Sequence, residues 1–170
     1  LFESLVGARL LYGFYQVGGT RYDIPDGWAD ACRKTIAVID QRIGEYEGLL
    51  EDNPFFLARA KGVGYITREL AEDVGIAGPL LRGSGVNFDL RRSAPYSSYE
   101  DFSFNVPVAT DGDCFARYRV RMAEFRESIS IIRQALDKLP GGPISSRPGL
   151  KSVAQVRIPK NRSTEPNRAR

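Results

Sequence analysis

Between Asp113 and Leu139 the chain places Phe115, Tyr118, Met122, Phe125, Ile129, Ile132, Leu136 and Leu139 at alternating steps of three and four residues. That period sets all eight side chains on one stripe of an α-helix, so the segment is expected to pack along its whole length against an apolar partner. Asp111-Gly112-Asp113 offers a cap in front of the stripe, and Pro140-Gly141-Gly142-Pro143 stops it. A second stripe of Trp28, Cys32, Ile36, Ile39, Ile43, Tyr46 and Leu50 predicts another long core-facing helix, started by the "DIPDG" run and ended by Asn53-Pro54.

Shorter elements fill the rest. The opening "LFESLVGARLLYGFYQ" reads as the middle of an amphipathic helix, which suggests that Leu1 is a cut rather than a beginning. "FFLARAKG" after Pro54 and "TRELAEDVG" with Thr67 as cap predict short helices. From Gly78 to Tyr99 neither period holds, and an ordered loop with one helical turn at Leu80 to Arg82 is expected. Phe102, Phe104 and Val106 alternate with Ser103 and Asn105, which predicts a short strand closed by Pro107. Helices outnumber that strand, so the fold class is mainly α, a helical bundle with irregular loops and a minor strand. Residues 1–143 form the helical core, and 144–170 a basic, poorly ordered tail.

The absence of histidine removes imidazole acid–base catalysis, histidine-dependent triads and histidine-ligated metals from these 170 residues. Cys32 and Cys114 stand in neither a CxxC nor a zinc spacing and read as reduced, buried thiols of a cytosolic compartment. The pairs Gly62/Gly64 and Gly83/Gly85 belong to no phosphate-binding loop, so nucleotide binding is not expected. The excess of basic residues is concentrated in the tail, where Lys151, Arg157, Lys160, Arg162, Arg168 and Arg170 face only Glu165. Without aromatic residues to stack on bases, that tail does not read as a nucleic-acid site. No apolar run approaches the roughly 20 residues that span a bilayer, so membrane association goes through partners.

Candidate chemistry lies in the aperiodic loop. Arg82, Ser84, Asp89, Arg91, Arg92, Tyr96 and Tyr99 gather fixed positive charge, one carboxylate and phenols within a short span. Two readings stand: a surface for a partner or cofactor that Gly83 and Gly85 allow to approach closely, or side chains that satisfy loop carbonyls and plug the bundle end. Along the last helix Asp113, Arg117, Arg121 and Glu124 lie at helical spacing and are expected to pair within the helix, or else to form a buried charge network at a subunit interface.

Read together, "GARLLYGFYQVGGTRYDIPDGW", "NPFFLARAKGVGYI", "GPLLRGSGVNFDLRRSAPYSSYEDFSFNVPV", "GDCFARYRVRMAEFRESISIIRQAL" and "LPGGP" closely resemble the hydrogenase-like large subunit, the D-type or quinone-site subunit, of respiratory NADH:quinone oxidoreductase (complex I). Its chloroplast and cyanobacterial version is a close relative of that family. The resemblance runs from Leu1 to about Pro143. It implies a helical core of the nickel–iron hydrogenase large-subunit type, docked on a small iron–sulfur subunit and other peripheral-arm subunits at the cytoplasmic face of the bacterial membrane. Electrons from NADH reach the terminal iron–sulfur cluster in the neighbouring subunit, and quinone is reduced between the two, driving proton pumping. NADH, FMN and the clusters are implied to be held by other subunits, with no cofactor, metal or catalytic residue on this chain. The family's quinone-headgroup His and Tyr precede this stretch, and Arg82, Ser84, Asp89, Arg91, Arg92 and Tyr96 are the candidates for a quinone- or cluster-proximal interface.

Two departures stand inside that resemblance. Where the family carries His shortly after "GAR", this chain has Leu11 followed by Tyr12, and "KSVAQVRIPKNRSTEPNRAR" does not look like the family's continuation. The alternatives are the large subunit of a membrane-bound nickel–iron hydrogenase, which needs terminal cysteine pairs, and a helical interaction module without catalysis.

Overall fold

The computed structural model describes residues 1–146 and divides them into two units. One comprises Leu1–Cys32 and the stretch from Pro140 onward; the other is Arg33–Leu139. The expected tail lies, from residue 147 on, outside the described residues.

In the first unit, α1 (Phe2–Val6) is far shorter than the opening stripe predicts. Gly7 adopts a left-handed φ of 72° and its N–H donates to Glu3 O, which ends the helix after five residues. The chain then forms an antiparallel hairpin, β1 (Tyr15–Gln16) against β2 (Gly19–Thr20). A third segment closes on it: Thr20 N–H donates to Ile144 O at 2.9 Å and Ser146 N–H to Gly18 O at 2.8 Å. Only glycine fits at position 19, because a Cβ there would stand 2.1 Å from Ile144 O.

In the second unit, capping residues do what their types predict. Asn53 Oδ1 accepts from the N–H groups of Phe55 and Phe56 and opens α3 (Pro54–Ala60), with Pro54 in the first turn. Thr67 Oγ1 accepts from Leu70 N–H and opens α4 (Arg68–Asp73). The turn foreseen at Leu80 to Arg82 is α5 (Pro79–Gly83), and Asp89 caps a further short helix, α6 (Leu90–Ser93).

Two long helices frame the unit: α2 (Trp28–Glu51), which begins in the first unit, and α7 (Cys114–Asp137). Three ion pairs join them in antiparallel order: Arg33 to Asp137 at 2.8 Å, Asp40 to Arg133 at 2.8 Å, and Glu47 to Arg126. Positions 33, 40 and 47 are one heptad apart, so the ladder runs along a single edge of α2. This corrects the expected stripe. Asp40 and Glu47 turn toward α7, while Ile39 is 44% and Tyr46 55% exposed; Cys32, Ile36 and Ile43 are buried. On α7, likewise, Ala116, Val120, Met122 and Ile129 are buried, whereas Phe125 and Ile132 are left exposed. That helix packs against α5, where Gly83 lies against Arg117, touches α3, and is joined to α2 by the ion pairs, rather than burying one continuous stripe.

No strand forms at 102–106. The segment is extended after a 3₁₀ turn at Tyr99–Asp101, but its backbone is matched by side chains of α7. Ser103 N–H donates to Gln134 Oε1 and its carbonyl accepts from Gln134 Nε2, while Asn105 N–H donates to Glu127 Oε2. With those groups satisfied, no partner strand is needed.

Asp113 holds the start of α7. One carboxylate oxygen accepts from Ala116 N–H at 2.7 Å, the other from Gly62 N–H at 2.8 Å, and the side chain is buried. Burial by itself raises the carboxyl pKa, but the N–H groups of Gly62, Ala116 and Phe115 outweigh it and hold it below the ordinary 3.8. Asp113→Ala is therefore expected to cost about 2–3 kcal/mol, a lost cap plus a stranded buried donor, read as a shift in urea midpoint. Because the folded pKa is the lower one, the contribution is present above pH 3.8 and fades as pH falls through the folded value.

Candidate functional site

Arg82, in the last turn of α5, has its side chain buried and three acceptors around its guanidinium. Nη1 donates to Phe88 O at 2.9 Å and lies 3.7 Å from Asp89 Oδ2, and Nη2 donates to Glu124 on α7. Asp89 in turn receives Arg91 in a forked pair, Nε to Oδ1 at 3.0 Å and Nη2 to Oδ2 at 2.7 Å. The hydrogen bond from Arg91 holds the Asp89 carboxyl below its usual range and raises Arg91, with the charge of Arg82 adding to the shift on Asp89. Two cations and two anions thus balance around Asp89.

An open cavity of about 320 Å³ lies over this network, lined among others by Arg82, Phe88, Asp89, Arg91, Tyr96 and Glu124. Four of the six candidate residues, Arg82, Asp89, Arg91 and Tyr96, therefore do come together. The other two point elsewhere. Ser84 Oγ is buried and donates to Ile66 O at 2.9 Å, and so braces the loop before α4. Arg92 lies 4.2 Å above the ring of the buried Phe104, bonds that residue's carbonyl, and lines a second open cavity of about 580 Å³ with Asn87, Phe88, Ser93 and Asn105. Tyr99 packs between Tyr96 and Phe104 at ring-centroid distances of 5.1 and 6.2 Å.

Glu124 and Ser128 complete the first cavity, and sequence spacing pointed elsewhere for the glutamate. Instead of pairing within α7, Glu124 reaches across to Arg82; Arg117 donates to the carbonyls of Gly112 and Gly64; and Asp113 caps the helix. Among the described residues these charges form no ion pair within α7, and of the four Glu124 enters a buried pair, with Arg82. Nothing in the spacing sets Glu124 apart from Glu127 and Asp137, the other carboxylates of α7, as the partner of the arginine in "GPLLRGSG".

Chemically, the cluster is a brace. Asp89 is held in the ionised form, the cations are paired, and the polar groups bond neighbouring loops rather than a nucleophile. Neither Cys32, which is buried, nor Cys114, which is partly so, is in a disulfide. Among the described residues no three His, Cys, Asp or Glu side chains gather to hold a metal. No helix among them is long and apolar enough to cross a membrane.

A helical scaffold whose long loop is braced by internal ion pairs is the class of structure defined so far. The family described as respiratory-chain NADH dehydrogenase, 49 kDa subunit, matches residues 1–166. That match passes Pro143, where the resemblance was expected to end, and takes in most of the run read as foreign to the family. A D-type subunit of NADH-quinone oxidoreductase from Koribacter versatilis is 49% identical over 146 residues, 86% of this chain and 36% of the relative. The D-type subunit from Desulforamulus reducens is 47% identical over 147 residues, 86% of this chain and 40% of the relative. The H-type subunit of NAD(P)H-quinone oxidoreductase from Thermosynechococcus vestitus is 49% identical over 144 residues, 84% and 36% of the two chains. The chain belongs to the family of the 49 kDa subunit of respiratory NADH dehydrogenase. It spans little more than a third of the length of the curated relatives it matches.

Proposed function

We propose that the chain is part of the quinone-reducing module of a proton-translocating NADH:quinone oxidoreductase, as the helical core of its hydrogenase-like large subunit. The observation that carries this reading is the 49% identity to a D-type subunit of NADH-quinone oxidoreductase across 86% of the chain. The relatives' names specify quinone oxidoreductases, which favours this parent over a hydrogenase.

In this reading the chain itself holds no redox group. NADH, FMN and the iron–sulfur clusters belong to other peripheral-arm subunits, quinone is reduced between this subunit and the small iron–sulfur subunit, and attachment to the cytoplasmic face of the membrane is through partners. The role of this stretch is positional. The Arg82–Glu124 and Asp89–Arg91 pairs hold the loop from Gly83 to Tyr99 in one shape, so that Arg91, Tyr96 and Arg92 meet a partner or the quinone cavity at fixed places. The first unit supports a docking role as well: Leu10, Leu11, Tyr15 and Val17 are each more than three-quarters exposed, an apolar surface that suits a neighbouring subunit.

Coexpression with the small iron–sulfur subunit of the Koribacter enzyme tests the partnership. Coelution through size-exclusion chromatography is expected, and separate elution of two folded proteins contradicts it. Leu11 gives a second, finer expectation, since a leucine cannot take up the proton that the family's imidazole accepts near neutral pH. In a large subunit carrying this stretch, the midpoint potential of the terminal cluster should vary less steeply with pH than in the Leu11→His variant. An unchanged slope contradicts the assignment of position 11.

A further inference from the structure

The ion-pair ladder seals only one edge of the α2–α7 pair. At about 100° per residue, Ile39 and Tyr46 fall on the side of the Ile36–Ile43 line away from Asp40 and Glu47. Phe125 and Ile132 fall on the side of the Met122–Ile129 line away from Arg126 and Arg133. The two sets therefore share the unsealed edge of the antiparallel pair and make a groove. Its lining is apolar and open: Ile39 is 44% exposed, Tyr46 55%, Phe125 54% and Ile132 40%, with Leu49 at 68% beyond them on α2. Both walls repeat at seven residues, 39 to 46 and 125 to 132, the step by which one helix packs along another.

We infer that this groove seats a third, amphipathic helix from the large subunit itself, supplied by the part of the subunit outside the third that this chain matches. Three observations favour that occupant. The repeat on both walls is that of helix packing, and two helices joined along one edge leave the position of the third helix of a bundle vacant. The matched relatives carry more than half of their length outside the matched region. The rim carries one uncompensated charge: Arg121 on α7 is exposed and without an ion-pair partner among the described residues, whereas Arg42, on α2 between Ile39 and Tyr46, is paired with Glu45 at 2.5 Å. An apolar stripe of at least two heptads, about 20 Å long, with an acidic residue on the flank that meets Arg121, is the complement.

This inference rests on the family reading, and one experiment separates the two. The full 170-residue chain, with Tyr46 replaced by photoreactive benzoylphenylalanine, is coexpressed with the remaining length of the Koribacter large subunit as a separate polypeptide. Copurification supports the family reading, and photocrosslinks from position 46 into a helical segment of that polypeptide support the groove. Phe125→Glu should cut the crosslink yield at least tenfold, Ile132→Glu should do the same, and Arg126→Gln on the sealed edge should leave it within twofold. Circular dichroism establishes that each variant keeps its helix content. Copurification with no crosslink, with crosslinks only to a second copy of the chain, or with yields indifferent to Phe125→Glu and Ile132→Glu overturns the groove alone. Failure to copurify overturns both.

Discussion

Gly112→Ala should be the most damaging single-methyl substitution in the second unit, at about 3–5 kcal/mol. Gly112 has a φ of +66°, a conformation that costs an L side chain about 1–2 kcal/mol before any contact is counted. A Cβ there would stand 2.6 Å from Ile66 O and 3.0 Å from the Tyr65 ring, and the first of these is backbone that cannot rotate away. Gly112 is also a junction. Its N–H donates to Gly83 O, and its carbonyl accepts from Ile66 N–H and Arg117 Nη1 at 2.9 Å, so any shift disturbs the α5 terminus, the loop before α4 and the first turn of α7 together. Gly44, inside α2 with open space around it, is the control: Gly44→Ala should raise stability by about 0.5–1 kcal/mol. Urea midpoints by circular dichroism measure both. Similar midpoints for the two variants would mean that position 112 is not held as described.

Arg82→Met carries the second large effect. Exposed pairs such as Arg33–Asp137 are worth at most about 1 kcal/mol each, whereas Arg82 and Glu124 have side chains only 6% and 17% exposed. Removing the arginine strands Glu124, takes one of two cations from Asp89 and leaves Phe88 O without its donor, an expected loss of about 3–5 kcal/mol. Replacing Glu124 as well, in Arg82→Met/Glu124→Leu, should return more than half of that loss, because an apolar pair needs no desolvated charge. A double mutant no more stable than Arg82→Met contradicts the pairing. Asp89 gives the pH signature: its folded pKa is depressed by Arg91, so the stability difference between the natural chain and Asp89→Asn is full above pH 3.8 and narrows as pH falls through the folded value.

Much of this architecture was legible because it is local. A cap reads from one residue and its next three, which is why Asn53, Thr67 and Asp113 open helices where their types say they should. Gly7 shows the limit of the same logic. Hydrophobic spacing ran through it, but a left-handed glycine ends the helix however good the spacing beyond. What escaped was set by partners far away in sequence. Alternation at 102–106 resembles a strand, yet Gln134 and Glu127, some thirty and twenty residues on, supply the hydrogen bonds that a strand would. On α2, periodicity could not decide which neighbouring rows face inward, since Asp40 and Glu47 gain partners 93 and 79 residues away and so displace Ile39 and Tyr46 to the surface.

The candidate site followed the same division. Arg82, Asp89, Arg91 and Tyr96, grouped by their closeness in one loop, line one cavity because their placement depends on turns that the loop itself makes. That closeness does not reveal that Ser84 turns to Ile66 or Arg92 to Phe104, nor that the missing counter-charge would come from Glu124 on α7.

Exchange of the matched region in the Koribacter large subunit for this chain's residues, followed by assay of NADH:quinone reduction in membranes, tests the central claim most directly. An assembled complex that reduces quinone at a rate within about tenfold of the parent is expected, and Arg82→Met should abolish its assembly. A complex that assembles with NADH oxidation by artificial acceptors intact, yet reduces no quinone, would contradict the placement of this chain in the quinone module.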